Sequence, residues 1–198
     1  GERITHTPEP DDQSKNGQDH GTQKAEHSHH DHDVVSVGVA VVTVSSSRSL
    51  DNDTAGDAIA AAFDAECHTT GTREMPRDSY DRIQTAVESL AKRSDVDCVV
   101  TSGGTGVTPD DVTVEAVDDL FDKRLPGFGE LFRTLSYDEM GTRVVGTRAV
   151  AGVMDGTMVF CLPGSENAAR LGAVEIIVPE VTHLCGLATR SEDGDHAE

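Results

Sequence analysis

The period of the apolar positions changes repeatedly along the chain, and each change marks an element. Val34 to Val44 is a β-branched run, apolar on both faces. That pattern predicts a central strand in a sheet covered on both sides. A hydroxyl-rich turn follows, Ser45-Ser-Ser-Arg-Ser-Leu-Asp-Asn52, and Asp53 then stands as the N-cap of a helix over Thr54 to Glu66 that puts Ile59, Ala62 and Phe63 on one face. Cys67 to Met75 is a weaker strand ended by Pro76-Arg-Asp-Ser79, after which Ile83, Val87, Leu90 and Ala91 recur at helical spacing up to Ser94.

Asp97 to Thr101 predicts a third strand that runs straight into Thr101-Ser-Gly-Gly-Thr-Gly-Val-Thr-Pro-Asp-Asp-Val-Thr113. The helix leaving this loop spans Val112 to Leu120, with Val114, Val117 and Phe121 inward. A further helix, Leu125 to Gly141, carries a stripe of Phe128, Leu131, Phe132, Leu135 and Met140. Thr142 to Ala151 fits neither period. Val153 opens a hairpin that turns through Asp155-Gly156 into a strand, Thr157 to Leu162. Pro163-Gly-Ser-Glu-Asn167 then starts a helix from Ser165 to Ile177, and Pro179 is expected to break it before a short helix from Glu180 to Leu187. Strands alternating with helices predict an α/β fold: a three-layer α/β/α sandwich with a mostly parallel central sheet and a small β-hairpin element.

Composition limits where that fold lies. Residues 1–33 hold almost no large apolar side chains, so they cannot bury enough surface to offset their ordering entropy. Residues 191–198 are alike, which leaves one folded domain over 34–190 between a disordered, acidic, His-rich tail and a disordered acidic end. The tail's His27, His29, His30 and His32 lie among Asp31 and Asp33. Such a run chelates transition metals incidentally, without the fixed geometry and supporting hydrogen bonds of a dedicated site.

The formal net charge of −20 is shared by the folded part, where 34–190 carries 24 acids and 13 bases. Duplex DNA and anionic membranes are repelled by such a field, so neither nucleic acid nor membrane is an expected partner. Arg outnumbers Lys 12 to 4, aromatics are scarce and small residues abound, a balance resembling proteins of salt-rich, halophilic cytoplasm. Cys67, Cys98, Cys161 and Cys185 are widely spaced and sit in or beside apolar runs, which predicts buried free thiols in a reducing compartment. No apolar stretch reaches the length of a membrane span and the N-terminus lacks a signal-peptide core, so a cytoplasmic location is expected.

Candidate chemistry gathers in the loops. In Thr101 to Thr113, glycines beside hydroxyl residues let backbone N–H groups face an anion, and Asp110 and Asp111 follow at the lip. Phosphate beside carboxylates points to a shared Mg²⁺. The pattern is neither the Walker loop nor the dinucleotide fingerprint, and a glycine-rich turn that merely packs is the alternative. In parallel sheets ligands bind beyond the carboxyl ends of the strands. Three loops leave those ends, Ser45 to Asn52, Thr101 to Asp111 and Pro163 to Asn167, and all are rich in Ser, Thr, Gly or Asn.

Thr43-Val-Ser-Ser-Ser-Arg48 with Asp53-Thr-Ala-Gly56, Ser102-Gly-Gly-Thr-Gly106 with Asp111-Val-Thr-Val-Glu-Ala116, Leu125-Pro-Gly-Phe-Gly-Glu-Leu-Phe-Arg133, Arg148-Ala-Val-Ala-Gly152 and Leu162-Pro-Gly-Ser-Glu-Asn167 together resemble the MoaB/MogA family of molybdenum cofactor biosynthesis. The resemblance spans Val35 to Leu187. It implies a homotrimer or dimer of trimers that binds molybdopterin and, in active members, transfers AMP from Mg-ATP to the terminal phosphate of molybdopterin with release of pyrophosphate. A downstream molybdenum-insertion protein is an implied partner.

By match to the family's loops, Asp111 and Asp78 are the implied catalytic acids and Mg²⁺ ligands. Ser45, Ser102, Gly103, Gly104, Thr105 and Gly106 are implied to hold the phosphate or pterin from one side, and Pro163, Gly164, Ser165 and Asn167 from the other. Arg148 and Arg170 are candidate cationic contacts, or ordinary surface ion pairs; Asp53 is accounted for as a cap. Two departures stand out: Ser45-Ser46 where members often have Ser-Asp, and Asp110 where many have Arg. Two other readings remain open, a noncatalytic molybdopterin-binding scaffold and a CinA-like nucleotide pyrophosphatase.

Overall fold

The structure, a computed structural model, describes residues 35–189; the His-rich segment and the acidic end lie outside the described residues. The six-stranded sheet has the order β2-β1-β3-β6-β5-β4. Its strands are β1 (Gly38–Thr43), β2 (Thr69–Glu74), β3 (Cys98–Ser102), β4 (Lys123–Arg124), β5 (Val150–Met154) and β6 (Thr157–Leu162). β2, β1, β3 and β6 are mutually parallel. β5 and β4 add antiparallel strands at one edge.

Helices cover both faces. They are α1 (Thr54–Ala65), α2 (Tyr80–Ala91), α3 (Thr113–Asp118), α4 (Pro126–Met140), α5 (Glu166–Gly172) and α6 (Val178–Ala188). Alternate residues along β1 and the residue before it enter different cores: Val37, Val39 and Val41 meet Ile59 and Phe63 of α1, Phe132 of α4 and Ala169 of α5. Ala40 and Val42 join Ile83, Val87 and Leu90 of α2 with Ala116 and Val117 of α3. The predicted three-layer sandwich with a mainly parallel sheet is therefore what forms, and the two-sided apolar run in β1 is its cause.

Several boundaries differ from the sequence reading. Met140 and Leu131 of the α4 stripe are exposed, while Phe128 and Phe132 are buried. β4 has only two residues and no periodic signature, so it was not foreseen. The stretch without a period is a 3₁₀ helix, Gly141–Gly146, followed by β5, which starts at Val150 rather than at Val153. The hairpin turn is as expected, with Asp155 and Gly156 both at positive φ, 47° and 82°.

Pro179 does not break the last helix. A π-helical turn, Ala173–Ile177, joins α5 to α6, with the proline in the first turn after it. There the hydrogen-bond register has already shifted, which accommodates a ring that lacks an N–H. The continuous helix Glu166–Ala188 is 23 residues long and apolar enough to cross a membrane by length and composition, contrary to the estimate from separate segments. Its Ala169, Ala173, Ile177, Val181 and Cys185 are buried in the core under the sheet. Of the cysteines, Cys98, Cys161 and Cys185 are buried and free, whereas Cys67 is exposed at the end of α1, with φ of 63°.

Topology positions the cleft. α1 leaves β1 on one face and α3 leaves β3 on the other, so the loops after these adjacent strands part at their carboxyl ends and open a crevice between them. Thr43, Ser102 and Leu162 stand side by side at that edge. The three loops therefore begin level with one another.

Candidate functional site

The loops line a cleft of about 430 Å³ formed by Val44 to Arg48, Asp78, Gly103 to Gly106, Asp111, Gly146, Thr147, Pro163 and Gly164. Ladder-like bonds continue past the strands and fix its floor: the Val44 N–H donates to the Ser102 carbonyl at 2.8 Å and the Gly103 N–H to the Leu162 carbonyl at 2.9 Å. The Ser102 hydroxyl, buried under the cleft, donates to the Pro163 carbonyl at 3.3 Å. Ser102 thus joins two loops from beneath and does not line the cavity.

The glycine loop needs its glycines. Gly103 and Gly104 have φ of 101° and 69°, and a Cβ on Gly104 would lie 2.1 Å from Thr113 Oγ1, while one on Gly103 would lie 2.5 Å from the Val44 carbonyl oxygen. Arg148 braces this loop from behind. Its N–H donates to the Thr105 carbonyl at 3.1 Å, its Nε to the Gly106 carbonyl at 2.7 Å and one terminal nitrogen to the Asp111 carbonyl at 2.9 Å. The remaining guanidinium edge is paired with Glu115. Among the described residues no acceptor is bonded to the N–H groups of Gly104 and Thr105, and both residues line the cleft, where such donors can serve an anion.

Asp111 organises the loop as well as lining the cleft. Its Oδ2 accepts from the Thr108 N–H at 2.9 Å and the Thr108 hydroxyl at 2.7 Å. Burial pushes its carboxyl upward in pKa, but the Thr108 bonds, the Gly106 N–H and the Arg148 charge outweigh it and hold the group below the usual aspartate value. Asp78 comes from the loop after β2, and its N–H donates to Ser46 Oγ at 3.3 Å. That bond ties the second loop to the first, so both carboxylates sit on one cavity.

Other expected residues lie elsewhere. Ser165 is the N-cap of α5, accepting from the Ala168 N–H at 3.2 Å. Asn167 is exposed on the first turn of α5, and neither residue lines the cleft. Arg170 is paired with Glu166 four residues before it. Asp110 is exposed and outside the cleft lining.

Asp53, read as a cap, does more. It is buried, its Oδ1 accepts from the Gly56 N–H at 2.9 Å, and its Oδ2 accepts from the Thr43 hydroxyl at 2.6 Å and from Arg73 at 2.7 Å. These bonds close the neck of the first loop, whose residues 44–48 reach the cleft.

The sequence reading assigned no role to Ser46, Ser47, Arg48, Gly146 or Thr147. A cation among four serines was the available signal for Arg48; the other end, Gly146-Thr147, comes from the stretch without a period.

A mainly parallel sheet with a glycine loop, two carboxylates and hydroxyls at its switch point is the arrangement in which α/β proteins can hold phosphorylated ligands. Comparison with known proteins makes that class specific. Residues 34–183 match the model of a probable molybdopterin binding domain. The chain is 41% identical over 139 residues, 70% of its length and 82% of the relative's, to molybdenum cofactor biosynthesis protein B of Halalkalibacterium halodurans. Among solved structures it is similar to a molybdenum cofactor biosynthesis protein B, with 38% identity, a TM-score of 0.76 and coverage of 79% of this chain and 98% of the other. It is likewise similar to the tungsten cofactor synthesizing protein MoaB of Pyrococcus furiosus, with 38% identity, a TM-score of 0.68 and coverage of 78% and 98%. The chain belongs to the MoaB/MogA family of molybdenum cofactor biosynthesis proteins.

Proposed function

We propose that this protein adenylylates molybdopterin, using Mg-ATP and releasing pyrophosphate. The observation that carries the reading is the convergence of the loops after β1, β2, β3 and β6 on one cleft that holds free backbone donors and two carboxylates. In the reaction an oxygen of molybdopterin's terminal phosphate bonds to the α-phosphorus of ATP, the bond from that phosphorus to the bridging oxygen breaks, and pyrophosphate leaves with the bond's electron pair. Both partners are anions, so the protein's task is to align them and offset their charge.

The donor set fits Mg²⁺: it is all oxygen, with Asp78 and Asp111 on the cavity and room left for phosphate oxygens. Bound Mg²⁺ would neutralise charge on the triphosphate. Asp78 and Asp111 would hold it, and Asp111 is kept ionised by Thr108 and Arg148. The Gly104 and Thr105 N–H groups would grip a phosphate, with Ser45, Ser46 and Ser47 on the facing wall and Pro163 and Gly164 closing the third side.

One observation favours a second reading, a noncatalytic molybdopterin-binding scaffold: Asp111 Oδ2 already has two partners within the loop. Calorimetric titration separates the two. Both proteins bind molybdopterin, and the enzyme alone also binds Mg-ATP and releases pyrophosphate. Exposed Leu131, Tyr137 and Met140 on α4 and Val145 after it support the homotrimer or dimer of trimers that the family resemblance implies, and light scattering measures it. The free cysteines support a reducing, cytoplasmic setting.

A further inference from the structure

The proposed reaction requires an acidic protein to hold two polyanions beside its own Asp78 and Asp111. Cations are therefore decisive, and the candidates named by sequence are already committed. Arg148 is bonded to the Gly106 and Asp111 carbonyls and to the Glu115 carboxylate. Arg170 is paired with Glu166 and lies outside the cleft lining.

Arg48 differs from both. Among the described residues it is the one basic side chain on the cleft wall, and no carboxylate among them pairs with it. Its NH1 donates instead to a neutral acceptor, the Gly164 carbonyl, at 3.0 Å across the cleft. Its backbone is aimed by Ser45, whose hydroxyl oxygen accepts from the Ser47 N–H at 3.3 Å and the Arg48 N–H at 3.1 Å. Ser45 is itself fixed by its N–H donating to the Pro76 carbonyl at 3.2 Å. The base of the side chain is held while its head rests on an acceptor that a phosphate outcompetes, since a charge-assisted, two-pronged bond to phosphate is stronger than one to a carbonyl.

We propose that Arg48 is the phosphate-contacting cation of this cleft, exchanging the Gly164 carbonyl for a phosphate oxygen of the bound ligand. The inference rests on the adenylyl-transfer reading, which needs such a charge, and it extends that reading to a residue with no previous role. Phosphate here has two sources, the nucleotide's polyphosphate and the monoester of molybdopterin.

Calorimetric titration of wild type, Arg48→Lys and Arg48→Gln with Mg-pyrophosphate, Mg-ATP and molybdopterin distinguishes them. Arg48→Gln is expected to weaken the ligand whose phosphate it holds by about 10- to 100-fold, with Arg48→Lys between it and wild type. The thermal midpoint should stay unchanged in both variants, because Arg48 is exposed. Equal binding by all three proteins would overturn the assignment while leaving the cleft reading intact. Equal losses in both variants with a lowered midpoint would also overturn it, since they would show a brace for Gly164 alone. Wild type that binds none of the probes would remove the phosphate-cleft reading and this inference with it.

Discussion

Asp53→Asn tests how the first cleft wall is held. The substitution keeps size and leaves Oδ1 able to cap α1 through the Gly56 N–H, but it replaces the Oδ2 that accepts from Thr43 and Arg73 with an amide NH₂, which can only donate. Asp53 is 1% exposed, so the lost charge-assisted bond is a buried one, which costs about 1.5–3 kcal/mol. Full rupture of a buried pair reaches about 3–5 kcal/mol. Here the loss is smaller, because the Arg73 side chain is 27% exposed and keeps its 2.6 Å bond to Asp57. We expect about 2–3 kcal/mol, read from denaturant midpoints, and for a domain of this size a drop of roughly 4–12 °C in Tm.

The pH dependence supplies a sharper check. Burial pushes the Asp53 carboxyl up, but bonds from Thr43, the Gly56 N–H and Arg73 outweigh it, so its native pKa is below the ordinary 3.8. A depressed native pKa contributes stability that is present above the unfolded value and lost as pH falls through the native one. The gap between wild type and Asp53→Asn should thus be constant near neutrality and shrink once pH falls below 3.8. Equal stability at neutral pH, or a gap unchanged in acid, would refute the argument.

Gly104→Ala, which puts a methyl 2.1 Å from Thr113 Oγ1 at a φ of 69°, should cost more than about 1 kcal/mol and abolish binding of Mg-pyrophosphate, measured by denaturation and calorimetry. Arg148→Ala should leave the overall fold in place but raise amide exchange across 104–111, because it removes the guanidinium bonds that brace those carbonyls. If the acidic surface is an adaptation to salt, Tm should rise between low and molar KCl; a flat response would exclude that reading of the −20 charge.

Much of the fold was legible because β1 and the helices carry unambiguous periods. The two-sided run in β1 specifies a covered sheet, and Asp53 and the Asp155-Gly156 turn punctuate it with known backbone requirements. What escaped the reading depends on tertiary context. Two residues of β4 have no period to read, and the π turn ahead of Pro179 leaves no mark in the apolar spacing. In the site, the glycine loop with Asp111 at its lip was legible from local pattern, and Asp78 only through the family resemblance; the level start of the loops follows from the strand register. Which polar groups face the cavity was not legible: Ser102 and Ser165 have the right chemistry, yet one is buried beneath the floor and the other caps its own helix. Arg148 and Arg48 look alike in sequence, and only their partners separate a brace from a free cation.

The central claim is that the cleft transfers an adenylyl group, and the pyrophosphate released by purified protein given molybdopterin and Mg-ATP measures it directly. Adenylyl transfer at this cleft predicts release that requires both substrates and falls by several orders of magnitude in Asp111→Ala, with the fold retained by circular dichroism. Unchanged turnover in that variant, or molybdopterin bound by wild type with no pyrophosphate released, would contradict it.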